Sequence, residues 1–402
     1  MNTPDYHDPA ECEPTTKGAS PLLLFVVNDP AFFLSHRERL GAAARAGGYR
    51  VEVACPSEGD TASEIVARGY AHHPLQLTRW GSNPISELAA LWELVVLFRR
   101  IRPCIVHLVG IKAMLYGGLV ARLTRVPAAL FAVSGLGYVF LSRGVVASAR
   151  RWLVRQLYRL AFGHRNSRVV FQNEGDLATF VAFGMVRPDR SDIVPGNGID
   201  LEHFAPTTEP EGRPLVVLPA RMLWDKGVQE FVDAAALLRT QGSMARFVLV
   251  GDAAAGNPSA VPERLLHAWT EAGTIEWWGR CADMSRVFGE ANVVCLPSYR
   301  EGMPQVLIEA AACGRATVTT DVSGCRDAIV PNVTGLLVPR GEVEPLARAI
   351  KRLLDDAAER ARLGAAGRRH VETRLAPSVV IPAMLNIYGK LLGSHSNPME
   401  YG

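Results

Sequence analysis

The sequence predicts an α/β protein built from two Rossmann-like, doubly wound domains, and three observations predict it. Its 402 residues suffice for two domains of ordinary size, each with its own core. Short apolar runs of the kind that form buried parallel strands alternate with segments of helical spacing along the chain. Midway, Pro195, Gly196, Asn197, Gly198, Ile199 and Asp200 form a cluster of turn formers, and the alternation resumes at Leu215.

Residues 1–20 are polar, acidic and proline-containing, and are expected to be disordered. A first domain over 21–195 opens with a strand at 21–27, broken at Asn28, Asp29 and Pro30. Ser35 is placed to cap a helix that Gly47 and Gly48 end, and residues 49–54 form the second strand. An amphipathic helix over 85–100, a buried strand at 105–109 carrying His107, a helix over 114–123 and a strand at 128–133 follow. After a loop at 134–138 comes a helix over 145–162, then 169–171 and 176–183 close the domain. The second domain covers 196–375, where strand and helix alternate again from Leu215 and an apolar run at 293–297 reads as a buried strand. A last segment, 376–402, holds a helix over 378–392.

Composition narrows the function. Apolar residues make up 48% and charged residues 21%, a globular balance. The seven cysteines, Cys12, Cys55, Cys104, Cys281, Cys295, Cys313 and Cys325, are scattered and odd in number, which fits buried reduced thiols of a cytosolic protein. No pair has metal-ligand spacing, so no metal site is expected. The N-terminus is the opposite of a secretory signal, and no apolar stretch reaches the ~18 residues of a membrane span.

The net charge of +3 hides an asymmetry. Between Leu94 and Asn173 there is no Asp or Glu, but thirteen Arg and Lys. Such a field attracts phosphates of a membrane surface, a lipid-linked substrate or a nucleic acid. No aromatic platform or nucleic-acid-binding module accompanies it, so no nucleic-acid partner is expected. Within it, Arg151, Arg155 and Arg159 recur at four-residue spacing beside Trp152, Leu153, Leu157 and Leu160, a basic amphipathic helix. With Arg143 and Arg150 these residues are candidates for an anionic membrane face; the alternative is an ordinary surface helix beside a core.

The densest chemistry lies in residues 299–314, where seven residues separate Glu301 from Glu309. Glu301 follows the strand at 293–297, at the carboxyl edge where open α/β sheets bind ligands. Gly302 and Pro304 turn the chain into an Ala-rich helix whose first turn carries free N–H groups for an anion or a sugar hydroxyl. Glu309, one turn in, can accept two vicinal hydroxyls. The plainer alternative is an Ala-rich core helix with two solvated glutamates. Upstream, Arg221 at a strand end and Lys226 opening the next helix can converge on one diphosphate. No Asp-x-Asp motif is present to hold a metal.

The Glu-x7-Glu pattern resembles the signature of retaining GT-B glycosyltransferases of family 4. Arg221 to Gly227 resembles that family's Arg-x4-Lys-Gly segment. Residues 248–252 with Gly251, 278–280 with Arg280, Asp283 and 318–324 follow in family order, so the likeness runs through roughly 215–340. The resemblance implies a nucleotide-sugar cleft between the two domains and a last helix that packs back on the first. It implies Arg221, Lys226 and Glu301 as catalytic residues, Glu309 on the ribose, and Gly302, Met303 and Pro304 on the transferred sugar. Gly251 and Arg280 would also serve the donor, Arg280 near the base. It further implies a metal-independent reaction with a UDP-sugar as co-substrate.

Asp29 to Arg37, His107 to Lys112 and Ser134 to Tyr138 resemble bacterial members that extend an undecaprenyl-diphosphate-linked sugar, nearest the N-acetylgalactosaminyltransferase type. The residues before Phe32 and Phe33 depart from those relatives. The likeness implies Asn28, Asp29, His36, His107, Lys112 and Tyr138 as acceptor contacts. It also implies a cytoplasmic enzyme, peripheral on the inner face of the cell membrane. Two other readings stand beside it: a nucleotide-sugar 2-epimerase, which shares the fold, and a non-catalytic nucleotide-sugar-binding protein.

Overall fold

The computed structural model describes residues 20–57, 59–77, 84–135, 145–254 and 256–393, the side chains of 84 and 145–151 excepted. The N-terminus through residue 19, Cys12, Tyr138, Arg143 and the side chains of Arg150 and Arg151 therefore lie outside the described residues. The described residues fall into two compact units. The first takes the chain up to Gln172, then Asp176–Val194 and everything from Ile381 onward; the second is Asn173–Gly175 with Pro195–Val380.

In the first unit, seven parallel strands form one sheet: β1 (Leu22–Val27), β2 (Arg50–Cys55), β3 (Ala71–Pro74), β4 (Ile105–Val109), β5 (Ala128–Val133), β6 (Ser167–Phe171) and β7 (Ser191–Ile193). Their order is β3-β2-β1-β4-β5-β6-β7, so the direction of winding reverses between β1 and β4. Strands β1, β4 and β5 are buried at every position, as continuous apolar runs covered on both faces should be. The helices are α1 (Pro30–His36), α2 (Glu38–Ala46), α3 (Thr61–Ala67), α4 (Pro84–Ile101), α5 (Gly118–Leu123), α6 (Val145–Phe162) and α7 (Glu174–Ala182).

Two local expectations are corrected here. The helix after β1 starts at Pro30, not after Ser35, because the Asp29 side chain accepts from the Phe32 N–H at 3.2 Å and Pro30 suits the first helical position. The chain then kinks at Arg37, which is not helical, and restarts as α2. The helix expected over 114–123 begins instead as a π-helical turn, Ala113–Gly117, before α5.

The second unit repeats the design with six parallel strands: β8 (Leu215–Pro219), β9 (Arg246–Val250), β10 (Glu276–Trp277), β11 (Val293–Leu296), β12 (Ala316–Thr320) and β13 (Leu336–Val338), in the order β10-β9-β8-β11-β12-β13. Its helices are α8 (Val228–Thr240), α9 (Glu263–Glu271), α10 (Met284–Glu290), α11 (Gln305–Ala312), α12 (Ser323–Ala328), α13 (Val343–Asp355) and α14 (Ala357–Arg374). Both units are thus Rossmann-like domains, each with a switch point flanking its first strand.

The last helix, α15 (Pro377–Leu391), belongs to the first unit from Ile381 onward. Tyr388 is fully buried there and lies 2.6 Å from His107 Nδ1, while Asn166 donates to the Leu391 carbonyl at 2.8 Å. Cys55, Cys295, Cys313 and Cys325 are buried. Burial pushes the Cys325 thiol up to about 12 and Cys313 to about 11.

Candidate functional site

In the second unit, the loops leaving the carboxyl ends of β8, β9, β10 and β11 are stitched to one another. The Met222 N–H donates to the Asp252 carbonyl at 2.9 Å, the Gly251 N–H to Gly279 at 2.7 Å, and the Tyr299 N–H to Asp225 at 2.9 Å. Trp277 Nε1 adds a bond to the Gly251 carbonyl. These bonds gather the loops carrying Arg221, Lys226, Gly251, Arg280 and Glu301 on one rim of the sheet, the rim where its winding reverses. Close approach is what two glycines supply. A Cβ on Gly227, whose φ is +73°, would sit 2.1 Å from the Pro297 carbonyl oxygen, and one on Gly324 would sit 2.2 Å from that of Gly302.

Lys226 and Glu301 meet directly, Nζ to Oε1 at 2.6 Å, with their side chains only 19% and 12% exposed. The same carboxylate oxygen accepts from the Ser298 hydroxyl at 2.6 Å. Ser298 is fully buried and its backbone carbonyl accepts from Thr320 Oγ1, so the residue that holds Glu301 is itself held. An ammonium has three donors, and the Glu301 contact uses one, which leaves Lys226 able to take an anionic oxygen without releasing its partner. Arg221 and Arg280 are exposed cations on the same rim. Gly302 presents its carbonyl to Asn173 Nδ2 at 2.5 Å, and Met303 is buried. Pro304 precedes α11 with extended backbone angles, which starts the helix there.

Glu309, one turn into α11, keeps a partial solvent contact. Its carboxyl is nevertheless enclosed enough that burial pushes it up to about 8, against an opposing hydrogen bond from Gln305. It is therefore mostly a neutral acid at pH 7. The site also contains groups that sequence reasoning missed. Ser298 is one, and its signal was a hydroxyl just past the strand run ending in Pro297. Tyr299 is another: its hydroxyl donates to Glu230 at 2.5 Å, and Arg340 lies over its ring at 5.7 Å.

In the first unit, Asn28 and Gly110 are neighbours at the carboxyl ends of β1 and β4. Gly110 has φ +95°, and a Cβ there would meet Asn28 Oδ1 at 2.4 Å. His36 takes a 2.6 Å hydrogen bond with Ser35 and stacks on Phe32 at 4.3 Å. Burial and the neighbouring Arg37 lower its pKa to about 4, so it is a neutral imidazole at physiological pH. Lys112 is ion-paired with Glu87 at 2.6 Å, and the Tyr116 hydroxyl binds the other carboxylate oxygen at 2.7 Å.

Two expectations for this unit are corrected. His107 has no exposed surface: its ring packs 4.7 Å from Phe25 and bonds to Tyr388, and burial holds its pKa far below the usual imidazole value. It is a core histidine that anchors α15, because its strand position points it under that helix and away from solvent. Arg155 and Arg159 do not form a free cationic face either. Arg155 donates to the Phe183 carbonyl at 3.1 Å, and Arg159 to Gly184 at 2.8 Å and Phe183 at 3.0 Å. Both guanidiniums thereby cap the carbonyls at the end of α7, as cations at a helix C-terminus do. Trp152, by contrast, is exposed.

Among the described residues no cluster of three metal-ligating side chains occurs, and no helix is long and apolar enough to cross a membrane. Comparison with known proteins agrees with this geometry. Residues 200–370 match the family model described as glycosyl transferases group 1, and residues 23–173 match that described as glycosyl transferase 4-like. The chain is 29% identical over 294 residues to the N,N'-diacetylbacillosaminyl-diphospho-undecaprenol alpha-1,3-N-acetylgalactosaminyltransferase of Campylobacter jejuni, covering 70% of this chain and 76% of that one. It is also 29% identical over 344 residues to a GDP-mannose-dependent alpha-mannosyltransferase of Mycobacterium tuberculosis, covering 80% and 84%. In fold it matches the crystal structure of Anabaena HepE in complex with UDP and glucose, with a TM-score of 0.72 at 18% identity over 91% of this chain and 99% of that one. With both halves matched and both sheets wound alike, the chain belongs to the group 1 glycosyltransferases of GT-B fold, with a glycosyl transferase 4-like N-terminal domain.

Proposed function

We propose that this glycosyltransferase moves a hexose or N-acetylhexosamine from a UDP-sugar to a polyprenyl-diphosphate-linked sugar, with retention at the anomeric carbon and without a metal. The observation that carries the reading is the Lys226–Glu301–Ser298 cluster on the switch-point rim of the second sheet. Lys226 and Arg221 stabilise charge on the departing diphosphate, and Glu301 binds hydroxyls of the transferred sugar. Glu309 takes the ribose. The bond from the anomeric carbon to the diphosphate oxygen breaks, the acceptor oxygen bonds to the same face, and its proton passes to the departing diphosphate. No carboxylate nucleophile enters this scheme, unlike that of retaining glycosidases.

The UDP-sugar choice draws on the fold shared with HepE, whose structure holds UDP and glucose, and the N-acetylhexosamine on the Campylobacter relative, an N-acetylgalactosaminyltransferase; the mycobacterial relative is GDP-mannose-dependent. The lipid-linked acceptor draws on the Campylobacter relative and on the acid-free basic stretch between Leu94 and Asn173. Asn28, Asp29, His36 and Lys112 are proposed acceptor contacts, and the enzyme is proposed to work peripherally at the inner face of the cell membrane. The test is incubation with a panel of UDP-sugars and GDP-mannose against short-chain polyprenyl diphosphate sugars, with and without a chelator. Product of added hexose or N-acetylhexosamine mass, made from a UDP-sugar despite chelation, is expected. Turnover only with GDP-mannose, or only with added metal, would overturn the assignment.

A further inference from the structure

Helix α4 enters the core of the first unit through Ala90, Leu94, Leu97 and Phe98. A helix on a protein surface ordinarily turns polar on its far side. Here the far side is apolar as well: Ile85 is 78% exposed, Leu88 67%, Trp92 65% and Val96 46%. At 3.6 residues per turn these four lie within an arc of about 80°, opposite the core-facing residues, and extend over roughly 17 Å. The exposed Arg99 continues the same line. Trp152 and Leu160, exposed on α6, add to the apolar surface of this unit.

The two carboxylates of α4 do not interrupt that stripe. Glu87 is held by Lys112 and Tyr116, and Glu93 accepts from the Gln76 N–H at 2.8 Å. Beyond α4 the chain carries no acid until Glu174. An apolar stripe that ends in cations, without free acids, complements a surface that is apolar beneath and anionic at its headgroups. Pairing with a second copy would offer those cations no opposite charge, because the stripe carries no free acid.

We propose that this face of α4 seats the protein on an anionic phospholipid leaflet, the helix lying in the plane of the interface with Trp92 at headgroup level. The assignment rests on the lipid-linked-acceptor reading for its purpose, but its test does not. The full chain is sedimented with vesicles of phosphatidylglycerol and phosphatidylcholine, and with phosphatidylcholine alone. The same is done for Leu88→Gln/Trp92→Ser, whose side chains are exposed and whose fold is checked by circular dichroism.

Binding to the anionic vesicles is expected, at least about tenfold weaker in the variant, with unchanged transfer to a short-chain, water-soluble acceptor. Failure of the wild-type protein to bind, equal binding by the variant, or a concentration-dependent dimer that the variant loses would overturn the proposal. Vesicle binding without transfer to any acceptor would sink the functional reading and leave the docking surface standing.

Discussion

Replacing Glu309 by Gln probes the enclosure of the proposed donor site through pH. In the folded chain burial pushes this carboxyl from the ordinary 4.5 to about 8, whereas the unfolded chain leaves it at the ordinary value. A raised acid pKa means the folded state holds the proton more tightly. The stabilisation is complete below pH 4.5 and is lost as pH climbs through about 8, at ~1.4 kcal/mol per pH unit inside the window. The whole loss approaches ~5 kcal/mol if the site stays dry, and roughly half if water follows the charge into it. Glu309→Gln has no such titration. Urea unfolding of both proteins at pH 5, 7 and 9, read at the transition of the second unit, is expected to show the variant gaining on the wild type by ~2–5 kcal/mol between the first and last values. A difference that stays flat across that range would refute the claim that this carboxyl is desolvated.

The structure makes three more expectations checkable. Ser298→Ala removes one of the two groups holding the Glu301 oxygen, and kcat/KM for the donor is expected to fall about tenfold, ~1.4 kcal/mol, with the melting temperature nearly unchanged. Arg155→Gln with Arg159→Gln should destabilise the first unit by ~1–3 kcal/mol in urea, because the carbonyls of Phe183 and Gly184 lose their caps, and should leave vesicle binding within about twofold. Tyr388→Phe strands Nδ1 of a buried imidazole and should cost ~1–3 kcal/mol, while transfer to a soluble acceptor persists; lost transfer with unaltered stability would restore His107 to the acceptor site.

Much of this architecture was legible in the sequence because parallel strands buried on both faces are uninterrupted apolar runs. Ile105–Val109 and Ala128–Val133 could be read directly, and so could the turn formers that separate the units. Glu301, Lys226 and Gly302 were legible because the motif fixes a strand end and a helix start within a few residues. What stayed hidden depended on partners distant in sequence. His107 looks the same in a strand whether a solvent gap or Tyr388, 281 residues away, lies over it. The guanidiniums of Arg155 and Arg159 read as a basic face until the end of α7 is found beside them. Helix α4 read as amphipathic because its inner and outer apolar residues interleave along the chain, and only burial separates Leu94 from Trp92.

The central claim is that Lys226 and Glu301 together hold a sugar nucleotide's diphosphate and sugar. Isothermal titration of UDP and of UDP-sugars into the wild type, Lys226→Met and Glu301→Gln tests it most directly. The account predicts that Lys226→Met weakens UDP and UDP-sugar alike by about tenfold or more, since a charge-assisted phosphate contact is worth ~1.5–3 kcal/mol. It predicts that Glu301→Gln weakens the UDP-sugars while leaving UDP nearly unchanged. Wild-type affinity for UDP in Lys226→Met, or equal losses for UDP and UDP-sugars in Glu301→Gln, would contradict it.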